Sequence, residues 1–396
     1  MIKTILMVLF LLGWSFKPAQ AIDLSKINHS NNYRKSGVRF SHSIAKTGRE
    51  YHLIVALRFQ RYSGLDKIEN FQLLSQEKFN SSKHTEIPLD GMKKRRLVPG
   101  EEFEMRFETE QIHNYLVVAF EYATRQYYFD IPINENLAFP LADFLCVQPD
   151  TNRMHNDFSP GEKISLIDQD TSQQTVFIFQ YDKHAFDNSV PPMVLTLPDS
   201  TQVPLDIKKR VLKSDSIILD SLDRLSFIQK NEQSSVGQMC FASSGTYPKL
   251  TLIEEVIVPL VYISTSEEYQ KVMTAEDKKE AFENFWLKII PSKKTAANTI
   301  KEYYQRIEEA NSLFTSYKEG WKTDQGMIYT IYGPPDVVDK EEQKEIWKYS
   351  VYQGEITFTF AKHKNLFTQY HYVLERDKSY SGIWFSEVKK WRKGIL

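Results

Sequence analysis

The sequence predicts two all-β sandwich modules followed by an α+β domain. Up to about residue 260 the chain is a series of short runs rich in β-branched and aromatic residues, several alternating apolar and polar positions. Beyond residue 264 the apolar spacing changes to three and four, then returns to two. Five of the six tryptophans lie in that last third, at 286, 321, 347, 384 and 391, which gives it the material for a core of its own.

The chain opens on Met1, Ile2 and Lys3, continues through an apolar run at 5–12 and reaches Pro18-Ala19-Gln20-Ala21. A basic start, a short apolar stretch and small residues two apart form the pattern of a secretory signal peptide cut after Ala21. The run is shorter than the ~20 residues a membrane span needs, and no cysteine near the cut offers a lipid anchor. Residues 1–21 are therefore expected to be removed, leaving a soluble protein in a periplasm, at the periphery of an outer membrane, or outside the cell. Without Lys3 and Lys17 the balance is 48 basic against 51 acidic residues, a net of −3. So even a balance makes no electrostatic case for nucleic acid or an anionic membrane.

The first module, residues 22–142, is read from strands at 51–59, 102–108, 115–120 and 127–131, the last two flanking a hairpin turn at 123–126. Such strands with turns between them point to an immunoglobulin-like sandwich. The second module, 143–262, repeats the style at 175–179, 193–197, 216–219 and 238–242, with turns at 187–192 and 198–200. The apolar run 256–263 reads as a core strand. Cys146 and Cys240 both fall in this module. An oxidising compartment permits a disulfide between them, and two separate buried thiols are the alternative.

The last domain, 263–396, starts with helices. Residues 274–277 have the form of an N-terminal cap, and Phe282, Phe285, Trp286 and Ile289 then share one face. A longer helix over 295–317 carries Ile300, Tyr303, Tyr304, Ile307, Ala310 and Phe314 as its stripe. Strands are predicted at 327–332, 345–349, 355–360 and 367–373, and a closing helix at 381–393. The charged run 339–345 reads as an exposed loop, and the basic clusters 93–96 and 389–393 as a solvated loop tip and helix end, with an acidic partner or lipid headgroups as the other reading of the two clusters.

The most informative run is Gly320-Trp321-Lys322-Thr323-Asp324, followed by Tyr332-Gly333-Pro334-Pro335-Asp336. Gly320 is placed to end a helix at positive φ. Thr323 and Asp324 are placed to bond nearby amides and hold a turn into a strand. Pro334 and Pro335 stop that strand, and Asp336 satisfies the amides after it. These residues resemble the GWxTD domain, a family of secreted proteins best represented in Bacteroidetes-type bacteria. Phe285-Trp286, Glu302-Tyr303-Tyr304 with Arg306, Ala310-Asn311, Phe314, and Glu345-Ile346-Trp347 with Tyr349 extend the resemblance over roughly residues 262–390. Lys288-Ile289-Ile290-Pro291 departs from it, where members often carry an acid and a proline. The family has no established activity. The resemblance implies a cell-envelope protein with sandwich modules ahead of the signature, and carries over no catalytic residue.

Nothing in the sequence calls for a cofactor. It has no His-Glu-x-x-His helix, Cys-x-x-Cys pair, glycine-rich phosphate loop or Gly-x-Ser-x-Gly elbow. His363 and His371 fall in or beside adjacent strands, where surface histidines are the ordinary reading and a shared metal the other. The expectation is a non-enzymatic structural or interaction subunit of an envelope assembly, with other envelope proteins as partners. One alternative is a carbohydrate- or peptide-binding module using the C-terminal aromatics. Another is a hydrolase using Asp324 and Asp336 as a carboxylate pair.

Overall fold

Leu53, Val55 and Leu57 point into one core while Ile54 and Ala56 face a second, so the predicted strand at 51–59 is covered on both sides. This computed structural model describes residues 22–395 apart from 60–66, 98, 109, 111, 135–139, 150–156, 159–160, 168–174, 183–185, 196–207, 214–215, 219–223, 234–235 and 352–353. The expected signal peptide and the turn at 198–200 lie outside the described residues.

The N-terminal part is mostly sheet. β1 (Val38–Thr47), β2 (Glu50–Phe59), β3 (Glu69–Gln76), β4 (Thr85–Glu86), β5 (Lys93–Leu97), β6 (Gly100–Glu108), β7 (Tyr115–Tyr122) and β8 (Arg125–Pro132) build two four-stranded sheets, ordered β1-β2-β6-β5 and β4-β3-β7-β8. Leu53, Val55 and Phe103 of the first meet Leu73, Val118 and Phe120 of the second in one core. The turn from β7 to β8 passes through Ala123 and Thr124 at φ +50° and +62°. The basic run 93–96 is not a loop tip. It forms β5 and lies against the acids of β6: Lys94 meets Glu101 at 2.9 Å and Arg95 pairs with Glu102 and Glu104.

A second pair of sheets follows. β9 (Leu145–Val147), β10 (Asp157–Phe158), β11 (Lys163–Ile167), β12 (Thr175–Asp182), β13 (Lys208–Lys213), β14 (Ser216–Ile218), β15 (Arg224–Gln229) and β16 (Gln238–Ala242) form sheets ordered β10-β16-β15-β12-β13 and β14-β11-β9. Residues 193–195 of the expected strand at 193–197 are not in a strand, and the rest lie outside the described residues. Cys146 and Cys240 are free thiols buried in the core between these sheets. They stand side by side rather than bonded, so of the two readings the structure carries the thiols. A hydrogen bond donated by the Cys146 S–H to Cys240, with burial, holds the Cys146 thiol well above its ordinary pKa.

The C-terminal part is α+β. α1 (Ile253–Ile257) and a 3-10 turn at Val258–Tyr262 replace the strand expected at 256–263. Their spacing puts Ile257, Leu260 and Tyr262 inward, and Pro259 sits at the second position of the 3-10 turn, where its missing N–H costs nothing. α2 (Ser266–Met273) starts on a capping box between Thr265 and Glu268. α3 (Lys278–Ile289) starts on Asp277, and α4 (Lys293–Phe314) starts on Ser292. α5 (Asp324–Tyr332), β17 (Val337–Glu341), β18 (Lys344–Val351), β19 (Gly354–Asn365), β20 (Thr368–Leu374) and α6 (Tyr380–Lys393) complete the chain, with the sheet in simple sequence order. The five tryptophans fill this core, each 2% exposed or less. So does Tyr33, from a 3-10 turn at His29–Tyr33 some 300 residues earlier in the chain. At the C-terminus, Arg392 is not wholly solvated: it forms a forked ion pair with Glu268 at 2.8 and 3.0 Å.

Candidate functional site

The signature run lies where α4 and α5 cross, and its glycines allow the contact. A β-carbon on Gly320 would stand 2.1 Å from the Ala310 carbonyl oxygen, and one on Gly326 would stand 1.8 Å from that of Gly320. Gly320 therefore serves close approach in a 3-10 turn and has no positive φ, because α4 has already ended at Phe314. Trp321 is buried with its ring edge-on to Tyr262 at 5.8 Å, and its N–H donates to Asn311 Oδ1 at 3.2 Å. Thr323 caps α5 by accepting from the Gly326 N–H at 3.0 Å.

Residues 327–332 are thus helix and not strand. Gly326, Met327, Ile328, Tyr329, Thr330 and Ile331 are all buried, so α5 is covered on every side and shows no polar stripe for a period to mark. Asp324 and Asp336 bracket this helix and do different structural work. Asp324 accepts from the Leu374 N–H at 2.7 Å and takes both arms of Arg376, at 3.1 and 2.5 Å. Asp336 accepts from the Ser350 N–H at 2.7 Å.

The remaining signature positions support the same crossing. Gly333 ends α5 at φ +83° with the Arg306 guanidinium against it, and its carbonyl accepts from the Tyr349 hydroxyl at 2.9 Å. Arg306 stands over the Trp391 ring at 5.3 Å and pairs with Glu302 at 3.5 Å. Pro335 is buried and Pro334 exposed, just ahead of β17. Phe285 and Trp286 face inward from α3; Trp286 packs on Tyr303, whose hydroxyl donates to the Pro259 carbonyl at 2.6 Å. Tyr304 donates to Val256 at 2.5 Å, and half-buried Tyr332 packs on Tyr349.

Residues 225–393 match the family model described as GWxTD domain. The chain carries a GWxTD domain. No curated protein matches the chain. The match opens ahead of the boundary expected at 263, so it takes in β16 and nearly all of β15. The segment at 187–192 lies outside it and docks onto the signature: Ser189 donates twice to the Lys322 carbonyl, at 2.9 and 3.0 Å, and Arg376 donates to the Val190 carbonyl at 3.3 Å.

A second cluster joins the GWxTD domain to the first sheets. Glu345, 1% exposed, accepts from the Tyr33 hydroxyl at 2.9 and 2.8 Å, Lys340 at 2.8 Å, Gln325 at 2.9 Å and the Trp347 indole at 3.0 Å. Lys340 also reaches Asp130 of β8 at 3.4 Å. Burial opposes a charge on Asp130, but Lys340 and Lys362 hold its pKa at about 2. Burial likewise opposes a charge on Lys340, and Glu345 and Asp130 outweigh it, raising its pKa. The run 339–345 is therefore a hairpin with a buried ion pair, and not a solvated loop. Period two was the signal: Glu345 shares a face with Trp347 and Tyr349.

Glu345 and Asp324 lie on the wall of one cavity of about 730 Å³, within the range of ligand pockets. It is shared by the first sheets, the second sheets and the GWxTD domain. Phe40, Phe129, Phe314, Phe367 and Tyr370 give it aromatic walls. Of the run 320–324 Thr323 and Asp324 line it, and of the other family positions Asn311, Phe314 and Glu345; Trp321, Tyr332, Trp347 and Tyr349 lie in or against the core. Lys318 also lines it, and burial pushes its pKa down to about 8. His363 and His371 stand opposite each other on β19 and β20, but among the described residues no group of three or more His, Cys, Asp or Glu is placed to hold a metal ion. No described helix is long and apolar enough to cross a membrane.

Proposed function

We propose that this chain is a non-enzymatic periplasmic or outer-membrane-associated protein, a structural and interaction subunit of an envelope assembly. Its two pairs of sheets serve as two immunoglobulin-like modules ahead of the GWxTD domain. The observation that carries the reading is the fate of the signature acids. Asp324 holds Arg376 and a backbone amide, and Asp336 holds another amide, so each has a place in the fold without catalysis. Of that pair only Asp324 lines the cavity. Affinity purification from native membranes tests the reading: stable envelope partners are expected, and recovery of a partner-free monomer counts against it.

A second reading, binding of a peptide or carbohydrate, is favoured by the aromatic-walled cavity. It places the ligand between the domains, away from the buried tryptophans. Intrinsic fluorescence during titration with cell-wall fragments and glycans separates a sugar ligand from a protein partner.

A further inference from the structure

The cavity is bordered by two strand edges. β1 ends one sheet and β20 ends another, and the two do not pair with each other. Every residue from 39 to 44 and from 365 to 373 lines the cavity. A strand that offers one face contributes every second residue; one that contributes all of them presents its edge.

The pairing shows which backbone groups face the gap. The Lys46 N–H leaves β1 for the Ala142 carbonyl at 2.8 Å, so Ile44, His42 and Phe40 turn their N–H and C=O the same way, away from β2. On β20 the Leu374 N–H points outward to Asp324 at 2.7 Å, while the Glu375 N–H points inward to Thr359 at 2.8 Å. Tyr372 therefore faces outward as well. Among the described residues no hydrogen bond meets the outward backbone groups of Phe40, His42, Ile44 or Tyr372. The two edges touch through side chains, His42 Nε2 lying 3.2 Å from Gln369 Oε1.

We infer that this cavity is a slot for an extended polypeptide segment of a partner protein, inserted as a strand between β1 and β20. This rests on the reading that the chain works by binding partners, and names the place. On β1 the unmet N–H and C=O groups of Phe40, His42 and Ile44 repeat about every 7 Å, Tyr372 adds one such pair on β20, and a second extended backbone offers matching groups at that repeat. The segment carries largely apolar side chains. Phe40 stacked on Phe129 at 4.3 Å offers flat apolar surface, and three of the carboxylates on the wall are already paired, Glu345 and Asp130 with Lys340 and Asp324 with Arg376.

The test uses the full secreted chain and a phage-displayed library of short random peptides. Selected peptides are expected to lose roughly tenfold in affinity on N-methylation at either of two adjacent positions, because both edges are used. His42→Trp and Gln369→Trp, each filling the gap, should abolish binding with the melting temperature kept. In the unmodified chain, adding a selected peptide should slow hydrogen exchange at the amides of Phe40, His42, Ile44 and Tyr372. Failure to select any peptide overturns the proposal. So does binding that survives N-methylation, or protection that appears elsewhere. Protection of the same amides on concentrating the chain alone would make the occupant a second copy and overturn the choice of a partner. An envelope partner recovered equally well with His42→Trp removes the slot and leaves the interaction reading standing.

Discussion

The hydroxyl of Tyr33 donates to both oxygens of the Glu345 carboxylate, at 2.9 and 2.8 Å, across 312 positions of sequence. That contact sits at the head of a buried ionic chain through Lys340 to Asp130. A carboxylate 1% exposed is tolerated because four side chains donate to it.

Glu345→Leu leaves Lys340 buried with only Asp130, and should cost about 3–5 kcal/mol in urea unfolding. Adding Lys340→Met removes the orphaned charge and should recover part of that loss. Tyr33→Phe deletes one donor to a charged acceptor, and should cost about 1.5–3 kcal/mol. A neutral result for Glu345→Leu would contradict the ionic chain.

Glycine tolerance should differ sharply between three positions. At Gly320 and Gly326 an added methyl meets backbone oxygen at 2.1 and 1.8 Å, and alanine at either should prevent the domain from folding stably. Gly382 lies within α6 with nothing within 4 Å of a new β-carbon. Alanine there should raise stability by about 0.5–1 kcal/mol through better helix propensity. Thermal melts of the three variants check this.

Asp324→Asn and Asp336→Asn separate structure from chemistry. The first weakens the forked contact with Arg376, itself 7% exposed, and should lower stability by about 3–5 kcal/mol. The second keeps an acceptor for the Ser350 amide at an exposed position, and should cost less than about 1 kcal/mol. Loss of a biochemical activity in a fully folded Asp336→Asn protein would restore the hydrolase reading.

Acid should weaken the fold before it protonates ordinary carboxylates. Burial pushes His29, His42 and His371 down to about 4, below the ordinary 6.5. Between those values the unfolded chain binds more protons than the folded one, so their contribution is complete above pH ~6.5 and lost as pH falls toward 4. Asp130, held at about 2, adds a loss below pH ~4. The unfolding free energy from denaturant titrations between about pH 7 and 5 should fall by about 1–2 kcal/mol per histidine, and His42→Asn should flatten that slope.

Cys146 and Cys240 should resist thiol reagents in the native protein, since both are buried and the Cys146 thiol is shifted away from its reactive form. Alkylation before and after unfolding checks this. Labelling in neither state, for protein secreted and kept free of reductant, would show that the pair closes into a disulfide in that compartment.

Sequence reading recovered elements whose period was unbroken. The strand at 51–59 and the helix stripe of Tyr303, Ile307 and Phe314 came through because one repeat dominated each. It failed at 256–263 and 327–332, where short apolar runs are covered on most sides and carry no polar face to set a period. The signature was legible as a unit, but its geometry was not. Gly320 is explained by Ala310 and Asp324 by Arg376, and neither partner is a neighbour in sequence. The cavity and the Tyr33–Glu345 contact were not legible at all, since each needs segments brought together from distant parts of the chain.

Tyr33 also imposes an order of assembly. It is made well before Glu345, Trp347 and Phe314, which surround it. The GWxTD domain cannot seal its interior without a piece supplied some 300 residues earlier. A product cut between Tyr33 and that domain, and so parted from it, would leave the interior unsealed, exposed to proteases and prone to aggregate.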